Sequence, residues 1–168
     1  LRKLLVMGLL AGLMVGLLVL AGCGGNGTTV KTPEGEIEVE PDEGRATFTE
    51  EDGGGSITVE QRVPTEEELG APIYPGAELE EGSAVSVTAQ DEEGMTAATG
   101  ATFITDDPFQ EVVDWYTDRL GTPMYIETGE TQEAAWMSGR EGAGAEFSMV
   151  TVTYEEGETR ITIVRATQ

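Results

Sequence analysis

The side chains that do most enzymatic chemistry are scarce in this 168-residue sequence, and carboxylates are abundant. There are 32 acidic residues against nine basic ones, one cysteine and no histidine. Without histidine the usual general base is missing, as are the Ser-His and Cys-His nucleophile systems and most zinc sites. Lys31 is the only lysine beyond the first three residues, which leaves no partner for Ser-Lys catalysis. No glycine-rich phosphate loop opens a helix. A glycosidase needs two carboxylates at a set separation, but with this many carboxylates their number identifies no pair. Glu50-Glu51-Asp52, Asp91-Glu92-Glu93 and Asp106-Asp107 are the acidic loop clusters. None has the alternating D-x-D-x-D-G spacing that wraps a calcium ion, so they read as solvated turns. These residues predict a protein that is not an enzyme and carries no metal or cofactor. Trp115 and Tyr74, with Arg119 and Arg140, form the candidate binding surface, and Trp136 is expected in the core.

The cysteine has a distinctive setting. Arg2 and Lys3 are followed by an uncharged run from Leu4 to Leu20 and then by Ala21-Gly22-Cys23. A basic start, an apolar middle and small residues before a cleavage point make up an export signal. Seventeen helical residues span only about 25 Å, short of a hydrocarbon core of roughly 30 Å. Leu20-Ala21-Gly22-Cys23 resembles the lipobox of bacterial lipoproteins. That resemblance implies cleavage between Gly22 and Cys23 and lipidation of the Cys23 thiol. The acyl chains would then hold the protein on the outer face of the cytoplasmic membrane or on an outer membrane. Each buried methylene of such a chain contributes about 0.8 kcal/mol.

From Cys23 onward the chain has seven basic groups against all 32 acidic ones, a formal charge of −25. Such a field repels nucleic acid, which is excluded as a partner, and holds the domain away from anionic headgroups. Solubility alone accounts for it, although cationic ligands remain electrostatically compatible.

Four segments are expected. Residues 1–22 form a signal helix, and 23–44 a flexible acidic linker with one hairpin in it. Residues 45–70 form a second hairpin and a connection, and 71–168 an α+β domain. Val30–Glu40 and Phe48–Glu60 each place two alternating half-strands around a glycine-containing turn. The first of these two hairpins is expected to be the less well formed. Nine of the ten aromatic residues lie in 71–168, so the core belongs there.

That domain enters through Pro72-Ile73-Tyr74-Pro75-Gly76-Ala77, where Pro75-Gly76 has turn chemistry. Phe103-Ile104-Thr105-Asp106-Asp107 follows before a helix. With these two segments, residues 64–168 resemble a group of small bacterial lipoproteins and secreted proteins of unassigned activity. The resemblance implies a β-β-α-β arrangement. Asp107 is the expected N-cap of the helix, with Pro108 at its first position and Gln110 completing a capping box. Phe109, Val112, Val113, Tyr116 and Leu120 make one apolar stripe, with Trp115 at its edge. Gly121 and Pro123 stop the helix.

Strands are expected at 84–89, 96–104, 124–127, 133–137, 146–154 and 159–165. The apolar phase slips between Met149 and Val150, which predicts a bulge or a strand buried on both faces. The fold class is α+β, an antiparallel sheet with one amphipathic helix on one face, preceded by the acidic hairpins and the signal helix. The function expected from these features is a lipid-anchored, non-catalytic module that binds an envelope protein or supports envelope structure. Its working surface would be the open sheet face or the exposed edge of the last strand. A small-ligand or cation-binding lipoprotein is the alternative, and an envelope hydrolase the third reading.

Overall fold

The structure is a computed structural model, and it describes residues 27–51, 54–92, 94–129, 132–140, 142 and 144–168. The signal helix, the Leu20–Cys23 motif and Gly24 and Gly25 behind it lie outside the described residues. The described chain is an α+β fold with a large antiparallel sheet and two α-helices. It divides into two compact units. The first comprises the described residues up to Arg62 with Ser86–Ala97, and the second Val63–Val85 with Ala98–Gln168.

In the first unit β1 (Thr28–Thr32), β2 (Gly35–Glu40), β3 (Arg45–Glu50), β4 (Gly55–Glu60) and β6 (Val85–Asp91) follow one another antiparallel. Alternation sets the two faces. Ile37 stands opposite Phe48, and Val39 opposite Ala46, which in turn faces Val59; all five are buried. The other face carries Glu36, Glu38 and Glu40 on β2 and hydroxyls on β3 and β4, with Thr47 and Thr58 in contact at 3.3 Å. Arg45 bridges Glu40 at 2.7 Å and Glu43 at 2.6 Å. A single 3-10 turn, Pro41–Glu43, joins β2 to β3, and Gly44 ends it in the left-handed region at φ 60°. Because β2 also pairs with β3, the two expected strand pairs are neighbours in one sheet.

The second unit begins with a helix that the sequence reading missed. In α1 (Glu66–Leu69), Thr65 Oγ1 accepts from the Glu68 N–H at 3.3 Å and Glu68 Oε2 accepts from the Thr65 N–H at 2.9 Å. This reciprocal capping box satisfies two N–H groups, and Gly70 at φ 66° ends the helix. Its one apolar residue, Leu69, is fully buried. The Pro75-Gly76 turn closes through the Ala77 N–H on the Tyr74 carbonyl at 3.2 Å, with Gly76 at φ 82°. A two-residue strand, β5 (Glu78–Leu79), pairs with β7 (Gly94–Thr105), which passes from the first unit into the second after Ala97.

The long helix α2 (Phe109–Leu120) buries Phe109, Val112, Val113 and Tyr116. Two details differ from expectation. Pro108, not Asp107, stands at the N-cap, and no side chain caps the helix. Asp107 instead accepts the Tyr74 hydroxyl at 2.9 Å, and Gln110 bonds Asp114. Leu120, the last member of the stripe, is 37% exposed because the helix ends there, at Gly121.

Four strands complete this unit: β8 (Tyr125–Thr128), β9 (Gln132–Arg140), β10 (Glu146–Glu155) and β11 (Glu158–Thr167). The order is β7-β11-β10-β9-β8. The last strand is therefore interior, and the edge expected on it belongs to β8. Helix α2 lies against β9 and β10. No bulge occurs at Met149: β10 pairs continuously with β9 and β11. The phase looked broken because buried Ser148 takes an inward position in register with Val150 and Val152, while Phe147 and Met149 face outward. The Ser148 hydroxyl donates to the Leu69 carbonyl at 3.2 Å, which satisfies it inside an apolar core.

Candidate functional site

Helix α2 and the entry segment bring aromatic rings together at one end of the core. Tyr74 meets Trp115 edge-on at 5.3 Å between centroids, and Trp115 meets Tyr116 edge-on at 4.8 Å. Tyr116 in turn lies 5.6 Å from Trp136. Edge-to-face contacts of this kind add about 0.5–1.5 kcal/mol each to simple burial. Trp115 is half-buried, and the Arg119 guanidinium rests over its ring, 3.7 Å from the centroid. The spacing i, i+4 on one helix makes that contact local, and Arg119 also donates to the Trp115 carbonyl. Among the described residues, Arg119 is the one basic side chain that meets an aromatic ring and not a carboxylate.

Three of the four expected surface residues thus stand together: Tyr74, Trp115 and Arg119. Arg140 is elsewhere. It ends β9, is 75% exposed along its side chain and faces Glu146 at 3.9 Å. Glu146 is held more closely by Arg165 at 2.7 Å, and Arg165 also donates to the Glu67 carbonyl within α1. Arg140 therefore belongs to a charge network that fastens α1 to β10 and β11.

The polar atoms of the ring cluster are engaged internally. The Tyr74 hydroxyl donates to Asp107, the Tyr116 hydroxyl to the Pro72 carbonyl at 3.0 Å, and the Trp136 indole to the Gly121 carbonyl at 2.9 Å. Thr159 donates to the Asp107 carbonyl at 2.7 Å and fixes the segment between β7 and α2. Each bond ties a connection to the core, which is a positioning role. Among the described residues, no group of three or more carboxylates or other ligating side chains is placed to hold a metal ion.

Burial, and then the bond to Asp107, raise the Tyr74 hydroxyl from 10.0 to about 12. Burial also pushes Tyr116 well above the ordinary tyrosine range. The folded protein therefore holds these protons at a pH where the unfolded chain has released them. Stability is complete below pH 10 and falls as pH rises through 10 to 12, by up to about 1.4 kcal/mol per pH unit for each tyrosine. Urea titrations from pH 8 to 11.5 should show the fall, and Tyr74→Phe should roughly halve its slope, leaving the share due to Tyr116.

A second surface was not foreseen. Leu120, Met124, Tyr125, Ile126 and Met137 are all exposed, and they lie at the last residue of α2, in the turn that follows, or on β8 and β9. The sequence signal was present: three consecutive apolar residues, 124–126, in a strand cannot all face one core. Compared with family models, curated proteins and solved structures, the chain finds no match.

Proposed function

We propose that this chain is a non-catalytic module, exported and held by lipid on Cys23, which binds a protein partner in the cell envelope or supports envelope structure. The observation that carries the reading is the run Leu4–Leu20 ending in Leu20-Ala21-Gly22-Cys23, with the only cysteine of the chain at the modified position. Residues 1–22 are the signal helix lost on cleavage, and the two strand pairs of the acidic segment, Val30–Glu40 and Phe48–Glu60, act as hairpins between anchor and domain. A formal charge of −25 after Cys23 keeps the domain clear of an anionic bilayer. The internal engagement of Tyr74, Tyr116 and Trp136 favours a scaffold over a small-ligand site, and the exposed apolar side chains around β8 favour a protein partner.

Metabolic labelling with a palmitate analogue tests the anchor. Wild-type protein should carry the label and stay with membranes through high salt, whereas Cys23→Ala should lose the label entirely. A processed Cys23→Ala protein bound as firmly as wild type, or an unlabelled wild type, would overturn the reading.

A further inference from the structure

Sheets that end in solvent expose unpaired N–H and C=O groups, and stable monomers guard such edges with lysine, proline, bulges or a covering element. Strand β1 shows the guard. Among the described residues it pairs only with β2, and it carries Lys31, which meets Glu36 at 3.2 Å. Among the described residues, strand β8 has only its shortness and the single charge of Glu127 to guard it, with no lysine, proline or covering element. It pairs only with β9, its four residues are Tyr-Ile-Glu-Thr, and all four are exposed. Tyr125 stands opposite Ala135 and Ile126 opposite Ala134, so these two large side chains project from opposite faces of the same edge. Five of the nine large apolar side chains exposed among the described residues cluster here. An added strand would find free backbone partners and apolar contacts on both faces.

Charge selects the occupant. Asp118 and Glu127 are exposed beside this patch, and Glu133, bonded by the Tyr125 hydroxyl, lies next to it; these three carboxylates outnumber the one nearby cation, Arg119, which is turned onto the Trp115 ring. A second copy would bring the same carboxylates and a further −25 against the first, since a two-fold contact sets like residues together. We propose that β8 accepts, as an added strand, an extended segment of a partner protein in which apolar residues alternate and lysine or arginine flanks them. This rests on the protein-partner reading above and gives it a location and a chemistry.

The test places a photo-crosslinking amino acid at position 126 of the full chain in its own cells, with controls at Val63 and Met95, exposed apolar residues outside the patch. The expected result is an adduct at 126 at least tenfold above the controls, with its crosslinked peptide mapping to a positively charged segment of another protein. Tyr125→Lys, which guards the edge, should cut the yield about tenfold at an unchanged melting temperature. Glu127→Lys, which reverses the rim charge, should lower it severalfold and provides the same test if Tyr125→Lys fails to fold. An adduct between two copies, or one to an acidic or neutral segment, would overturn the assignment. Adducts at the controls alone would leave the partner reading standing and remove β8 from it. No adduct at any of the three positions would count against both.

Discussion

Truncating Tyr116 to alanine is expected to cost about 3–5 kcal/mol, the range for removing a large ring from a packed core. Tyr116 is fully buried between α2 and the sheet, in contact with the rings of Trp115 and Trp136. Its loss leaves a cavity between these two indoles and takes the donor from the Pro72 carbonyl. Both tryptophans flank the site, so urea unfolding followed by tryptophan fluorescence reports it directly. Tyr116→Phe keeps the ring and removes only the hydroxyl, for which about 0.5–1.5 kcal/mol is expected. If the two variants lose equal stability, the ring is not the core element described above.

Gly35→Ala should have the second largest effect, for a different reason. A methyl group there would come within 2.2 Å of the Thr49 carbonyl oxygen and 2.9 Å of the Phe48 ring. Gly35 pairs with Thr32 on one side and Glu50 on the other, so the backbone cannot give way without loosening both neighbours. The expected cost is about 2–3 kcal/mol, typical of overpacking against rigid atoms, with faster hydrogen exchange along β1 and β2. Gly82→Ala is the control. Gly82 has φ 76° but nothing within 4 Å of the added methyl, so only conformational strain of about 1 kcal/mol should appear. Equal costs at the two positions would show that crowding at Gly35 is relieved.

The sequence carried the local elements well. Period-2 alternation located the six strands of residues 84–167 to within a few residues at each end, and the 3.6-residue stripe located α2. What it could not carry is set by distance along the chain. Ser148 looks like a phase error until its hydroxyl is seen on the Leu69 carbonyl, 79 positions away. Asp107 has the chemistry of a helix cap, but Tyr74, 33 positions earlier, takes its carboxylate. The capping box at Thr65 and Glu68 is written in the sequence, but a single helical turn shows no periodicity to mark the helix it opens. In the ring cluster, Trp115 and Arg119 are neighbours by helix spacing alone, whereas the approach of Tyr74 is a tertiary contact. Arg140 carried no local signal of its pairing with Glu146. The position of β11 inside the sheet is a matter of topology, which alternation does not encode.

That position has a consequence for how the chain comes into being. Of the strands in the second unit β11 is latest in sequence, yet it lies between β7 and β10. A nascent polypeptide that has not yet released residues 158–167 from the ribosome has β7 and the β9–β10 pair with nothing to join them. Thr159, which secures the segment before α2, is also still missing. Non-local closures of this kind must meet their loop entropy before contacts repay it, which slows folding. Until residues 158–167 are free, the second unit has no closed core, so its stability arrives in one late step and not by gradual growth.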